Sequence, residues 1–231
     1  MRIDKYLAQM GVGTRSEVRQ LLKKGRVTIN DKVEKSPKVH VDPENDEIIC
    51  DGETIAYIDK VYLMLNKPQD VISATEDDAQ RTVIDLIPEY QHLGIFPVGR
   101  LDKDTEGLLL ITNDGQFNHD LMSPKKHVAK TYEVLSEKNI TNHDIDMFKS
   151  GIELNDGATK PALLKQTDTP NQSLVTLYEG RYHQVKRMFH AIDNEVRALK
   201  RIKIGALPLD EDLAPGTYRQ LTQEELELLK Q

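Results

Sequence analysis

Cysteine is almost missing from this 231-residue chain, Cys50 being the only one. A lone cysteine excludes an internal disulfide and any CxxC zinc site, and it suits a reducing compartment. Long apolar runs are missing too. The longest, such as Val61-Tyr62-Leu63-Met64-Leu65, fall far short of the roughly 20 residues that span a bilayer. No apolar stretch follows Met1-Arg2-Ile3-Asp4-Lys5, so no signal peptide is predicted, and a cytoplasmic protein with no membrane partner is expected. The sequence also lacks a glycine-rich phosphate loop, HExxH, GxSxG, a serine triad motif, a fixed-period repeat and low-complexity tracts.

What is present reads as a soluble globular chain, with 38% hydrophobic and 30% charged residues. The length suits one mid-sized body plus a compact appendage. A net charge of −7 argues, as an average, against a nucleic-acid partner. The distribution overrides the average. Residues 1–38 hold ten Lys/Arg against four Asp/Glu, and 179–203 hold seven basic residues against three acidic ones. Two basic blocks on an acidic chain are either solvated faces or anion-binding surfaces.

Ile3, Leu7 and Met10 repeat at helical spacing, and Gly11-Val12-Gly13 ends that segment. Thr14-Arg15-Ser16-Glu17 reads as a capping box opening a second helix, with Val18, Leu21 and Leu22 on one stripe and Gly25 as the stop. Arg15, Arg19, Lys23 and Lys24 then fall on its outward face. A strand over 26–30, a turn at Asn30-Asp31 and short strands at 39–41 and 48–50 follow, so residues 1–58 form a first domain and 61–231 a second. In the second, strands at 62–65, 108–112, 131–135 and 174–178 mix irregularly with helices at 83–87, 145–149 and 182–192, and Asn113-Asp114-Gly115 and Asn155-Asp156-Gly157 mark tight turns. That order predicts an α+β fold on a mixed, largely antiparallel sheet flanked by helices.

Gly99-Arg100-Leu101-Asp102-Lys103-Asp104-Thr105-Glu106-Gly107 packs charge and turn residues directly before the apolar Leu108-Leu109-Leu110-Ile111. An exposed polar loop feeding a buried strand is where a rigid scaffold presents catalytic groups. The acidic spacing imitates half a calcium loop, but its twelfth position is Asn113 and no helices flank it. A charged turn before a strand is the bland alternative. The second cluster, Glu179 to Phe189, anchors itself through Val185, Met188 and Phe189 and flanks that stripe with Arg181, Lys186 and Arg187. His183 has no metal-like partner at helical spacing and reads as a hydrogen-bonding residue. What remains open is a site without metal or cofactor, built from a carboxylate, a basic residue and an aromatic. A lysine near a reactive Asp keeps it ionised, below the usual value of about 3.9.

Gly99-Arg100-Leu101-Asp102-x-x-Thr105-x-Gly107-Leu108-Leu109 resembles the signature of the pseudouridine synthases. Leu65-Asn66-Lys67-Pro68, Lys130-Thr131-Tyr132, the Gln184-to-Met188 block and the late Pro215-to-Leu221 stretch match the other motifs in order, and the N-terminal segment resembles an S4 RNA-binding domain. The resemblance covers nearly the whole chain and is nearest the RsuA branch, which isomerises a uridine of small-subunit (16S) ribosomal RNA. It implies a monomeric, cofactor-free enzyme acting on ribosomal RNA or an assembling small subunit; large-subunit RNA, or a non-catalytic S4-type binding protein, is the alternative. It implies that Asp102 is the nucleophile, that Tyr132 stacks on a flipped uracil, and that Lys186 pairs with Asp102 over Val185. Arg100, Val185, Arg181 and Lys67 are then substrate contacts, and Arg15, Arg19, Lys23, Lys24 and Arg26 meet the RNA. Two positions depart from the family pattern: Asp70 stands where Gly is usual, tolerable if the turn needs positive φ, and Glu106 replaces a small Ser.

Overall fold

The computed structural model describes residues 1–123 and 126–230. The chain divides into two compact units, Met1–Val61 with Glu89–Ile95, and Tyr62–Pro88 with Phe96–Gln231. The short segment that joins the first unit was not foreseen. His92 lies against Gly11, where φ is +77° and any Cβ would strike the imidazole.

In the first unit, α1 (Ile3–Gln9) and α2 (Arg15–Lys23) bury Ile3, Leu7, Val18 and Leu22 completely. The capping box forms: the Thr14 N–H donates to Glu17 Oε2 at 2.7 Å and the Glu17 N–H to Thr14 Oγ1 at 3.3 Å. The helices share a core with Val27 and Ile48 of a small antiparallel sheet. It comprises β1 (Val27–Ile29), β2 (Lys32–Val33), β3 (Ile48–Cys50) and β4 (Glu53–Thr54), in the order β2-β1-β3-β4. Asn30 and Asp31 take φ of +49° and +64°, the left-handed pair that a two-residue hairpin turn needs. The strand expected at 39–41 shrinks to one bridge between His40 and Arg2.

The second unit is built on one nine-stranded sheet. Its elements are β5 (Tyr62–Lys67), β6 (Phe96–Val98), β7 (Glu106–Thr112), α3 (Gly115–Met122), β8 (Lys130–Ser136), α4 (Asn142–Ser150), β9 (Glu153–Leu154), β10 (Gly157–Ala158), β11 (Leu163–Gln166), β12 (Gln172–Leu177), α5 (Gln184–Ala191), β13 (Val196–Ile204), β14 (Leu207–Pro208), β15 (Tyr218–Gln220) and α6 (Gln223–Leu228). The sheet runs β11-β12-β8-β13-β7-β5-β15, with β6 on β7, β14 on β13 and the β9–β10 hairpin apart from it. The β13–β7 pairing is parallel and the others are antiparallel, so the fold is α+β on a mixed sheet. Helices α4 and α5 close one core, in which Phe148 and Phe189 meet edge to face at 5.6 Å. A second core gathers Met64, Leu108, Leu110 and Ile204 with Leu121 of α3.

Two local expectations need correction. Asn113-Asp114-Gly115 is not a tight turn but the start of α3, with Asp114 Oδ1 accepting the N–H groups of Gln116 and Phe117. Turns and helix N-caps use the same short acceptors, which is why the sequence could not separate them. Residues 83–87 hold only the 3₁₀ turn Ile84–Leu86, closed by reciprocal Thr82–Asp85 bonds and stopped by Pro88.

Candidate active site

The loop 99–105 between β6 and β7 is fixed from below by one side chain. Lys67, at the end of β5, is 0% exposed and donates its three ammonium protons to the carbonyls of Pro68 (2.9 Å), Lys103 (3.1 Å) and Thr105 (2.9 Å). Burial pushes its pKa down to about 8, against the upward pull of Asp104, Asp102, Glu106 and Asp70. Ser73 clasps Leu101 in both directions, accepting its N–H at 3.0 Å and donating to its carbonyl at 2.9 Å. Asp70 takes φ of +64° and sends its N–H to the Lys103 carbonyl at 3.0 Å. Its departure from glycine is therefore accommodated in the left-handed region that Asp tolerates. Gly107 is obligatory, since any Cβ there would collide with the Arg201 backbone.

This scaffold presents Asp102, whose side chain keeps 29% of its surface open. Lys186, from the first turn of α5, brings Nζ to 3.5 Å from Asp102 Oδ2, but its short hydrogen bond, 2.6 Å, goes to Asp104 Oδ1. That bond holds the Asp104 carboxyl below the usual carboxylate range. His183 caps α5 from a left-handed backbone, φ +49°, and places Nε2 3.5 Å from Asp102 Oδ1. Tyr182 stacks on that imidazole at 3.8 Å and is 75% exposed. Val185 is buried in the core beneath α5.

A cleft of about 950 Å³ opens over these groups. Asp102, Tyr132, Lys186, Arg100, Arg181 and Val185 all line it, so the sequence had picked residues that the fold brings to one place. Among the described residues no group of three His, Cys, Asp or Glu gathers as for a metal ion. A carboxylate in contact with two basic side chains, above a half-buried tyrosine in an open cleft, suits nucleophilic or proton-transfer chemistry on a planar substrate.

Comparison with known proteins decides the family. Residues 61–191 match the RNA pseudouridylate synthase family, and residues 1–48 match the S4 domain. The chain belongs to the RNA pseudouridine synthases. It is 51% identical to the RNA pseudouridine synthase YtzG of Bacillus subtilis over 236 residues, covering 100% of this chain and 99% of that one. It is 41% identical to ribosomal small subunit pseudouridine synthase A of Escherichia coli K12 over 229 residues, 98% of each. A crystal structure of a pseudouridylate synthase superposes with a TM-score of 0.70 at 40% identity, covering 99% of both chains.

Within this synthase two expected substrate contacts change meaning. Lys67 does not line the cleft; with all three protons on carbonyls it is a buried clamp of the Asp102 loop. Arg181 reaches the rim, but its guanidinium is committed to Glu179 (3.3 Å), the Gly157 carbonyl (2.8 Å) and the Ala158 carbonyl (2.5 Å). Arg100 stays exposed at the cleft. In the first unit Arg15, Lys23, Lys24, Arg19 and Arg26 are all exposed, as a binding face requires. Two of them have partners. Arg26 pairs with Asp51, and Arg19 lies 3.5 Å from the fully buried Asp4, which Arg2 also holds at 2.8 Å. Sequence reasoning missed Ser73, Lys130 and Arg201 as cleft residues and gave Asp104 no role of its own; Asp104, inside the polar loop, and Lys130, inside a quoted motif, carried a signal.

Proposed function

We propose that this synthase converts a uridine of small-subunit ribosomal RNA to pseudouridine, with Asp102 as nucleophile acting on a base flipped out of its stack. The observation that carries the reading is the placement of the Asp102 carboxylate, stapled by its loop, in one cleft with Lys186, His183 and Tyr132. A glycosidic bond inside stacked RNA is out of a carboxylate's reach, and the cleft is wide enough for an extruded nucleotide. Asp102 attacks the sugar C1′ or takes the 2′ proton on the way to a glycal; both free the base, which turns and rejoins through C5. Tyr132 stacks on the uracil, Lys186 and His183 orient the carboxylate, and exposed Arg100 occupies the emptied stack or holds the phosphate. The exposed cations of the S4 domain add affinity for structured RNA. The small-subunit target is carried over from the relative of that name, which matches 98% of this chain.

Tritium release from C5-labelled uridine in 16S and 23S transcripts tests the reading. Release confined to 16S RNA, at a single mapped uridine that stays unmodified in a deletion strain, is the expected result. Release from 23S RNA alone reassigns the substrate, and binding without release leaves only an RNA-binding protein.

A further inference from the structure

A buried arginine and a half-buried lysine line the cleft with no acid paired to either among the described residues. Arg201 on β13 is the cross-strand partner of Tyr132 on β8, and Lys130 precedes Tyr132 by two residues. The period of a strand puts all three side chains on one face, the two cations flanking the ring, and all three line the cleft. Arg201 is 3% exposed; its Nε donates to the Leu108 carbonyl at 2.8 Å while its Nη2 is buried without a partner. Lys130 Nζ makes one long contact, 3.5 Å, with the Val128 carbonyl. Its burial and the charge of Arg201 both push its pKa below the ordinary lysine range. Among the described residues neither pairs with a carboxylate. A buried cation with a like charge beside it is costly unless an anion completes the site.

The reaction supplies one. As an Asp102 oxygen bonds to C1′, the C1′–N1 bond breaks and its electron pair moves onto the uracil, where it spreads over N1, O2 and O4. The glycal route leaves the same anion. C5 of the turned ring then bonds to C1′ as the carboxylate departs, C5 loses its proton and N1 gains one, so the sum is an isomerisation. We propose that Lys130 and Arg201 form a cationic subsite that donates to the carbonyl oxygens of the detached uracil anion and stabilises it between the two bond changes. The proposal rests on the reading that Tyr132 stacks on the flipped base, since that brings the base to the strand face that carries both cations. Donors aimed at charge that develops only as the bond breaks accelerate the chemical step instead of strengthening substrate binding.

The test uses the full chain and three probes in titration calorimetry: uracil, which is neutral; barbiturate, a pyrimidine of the same ring size that is a monoanion at neutral pH; and inorganic phosphate. The wild type is expected to bind barbiturate about tenfold more tightly than uracil, the scale of a charge-assisted donor set. Lys130→Met should erase that preference and Lys130→Arg should keep it, with thermal melts showing both folded. On 16S RNA, Lys130→Met should lower kcat by roughly 10²–10³-fold at nearly constant KM. A wild type that binds uracil as tightly as barbiturate overturns the proposal. So does phosphate binding as tight as barbiturate, which would make the pair a backbone phosphate site. A Lys130→Met defect confined to KM also overturns it. Pseudouridine formation by the wild type, assayed in parallel, reports on the proposed reaction independently: without turnover that reading falls, while the anion preference still stands or falls by the calorimetry.

Discussion

Asp102 and the basic face of α2 are held in opposite ways. Around Asp102 the loop is fixed by Lys67, Ser73 and Asp70, and its strand is pressed against β13 at Gly107. On α2, Arg15, Lys23 and Lys24 stand in solvent, and Arg19 keeps 53% of its side chain open beside Asp4. The difference fits the roles proposed for each region. Attack at a carbon tolerates misplacement of well under an ångström, so it needs a pre-formed loop. Attraction to phosphates acts over a Debye length of about 8 Å and needs only charge of the right sign. Substitutions should therefore be severe and local in the first region, and mild, cumulative and salt-dependent in the second.

The largest effect is expected at Asp102. Asp102→Asn removes the proposed nucleophile without touching the loop's backbone bonds, so turnover should fall by roughly 10⁴-fold or more while the melt is unchanged. Tritium release within tenfold of wild type would unseat Asp102 and with it the contrast between the regions. Lys67→Met comes next. Three carbonyls would lose the ammonium, that of Lys103 keeping only the Asp70 N–H, which should cost about 2–4 kcal/mol of stability and loosen the loop. The pH dependence has a definite sign. Folded Lys67 titrates near 8, below the ordinary lysine value of 10.5, so between those values the unfolded chain holds more protons and folding gains as pH rises. Denaturant melts at pH 7 and pH 10 should show the wild type gaining on Lys67→Met at the higher pH; a gap that shrinks would mean that the three carbonyl bonds, and not burial, govern the lysine.

Lys67 also marks the limit of what the sequence discloses. Its motif put it near the site, but residues 63–67 are all buried, so no alternation tells an inward from an outward side chain. Where chemistry is local the sequence is legible: the Thr14–Glu17 box and the Val185–Phe189 stripe follow from neighbours in the chain. Contacts made across the fold are not. Arg201 looks like any basic residue in Val196–Ile204 until β7 and β8 close on either side of it. The Lys186–Asp104 bond joins residues 82 positions apart, and the resemblance named only Asp102, which lies 3.5 Å from the same Nζ. The attachment of Glu89–Ile95 to the first unit is of the same kind.

Tyr132 gives an intermediate effect. Its ring lines the cleft, with Arg201 its cross-strand partner and Lys130 two residues before it. If stacking is its main contribution, worth about 1–3 kcal/mol per base, Tyr132→Phe should keep most of the single-turnover rate and Tyr132→Ala should lose at least tenfold more. Equal losses in the two variants would shift the role to the hydroxyl.

The smallest effect separates two kinds of cation within the basic face itself. Arg2, Arg15 and Arg19 surround Asp4, whose carboxyl burial alone would raise; the Arg2 hydrogen bond and the three charges outweigh that and hold it below its usual range. Removing Arg15 and Arg19 thus takes charge from the proposed RNA face and also leaves the buried carboxylate to Arg2 alone, which confounds a simultaneous change of all four residues. Lys23 and Lys24, in the last turn and C-cap of α2, are exposed, and no ion pair or hydrogen bond of their side chains is found among the described residues. Lys23→Gln with Lys24→Gln should leave the melt within about 0.5 kcal/mol of wild type. It should reduce the slope of log affinity against log salt by roughly 0.7 to 0.9 for each phosphate that is no longer neutralised, with kcat unchanged. Arg15→Gln with Arg19→Gln should reduce the slope similarly and lower the melt as well. Equal slopes for the wild type and the double-lysine variant would make the end of α2 an ordinary solvated face and move any RNA anchor to Arg15 and Arg19, where binding and stability share the same charges.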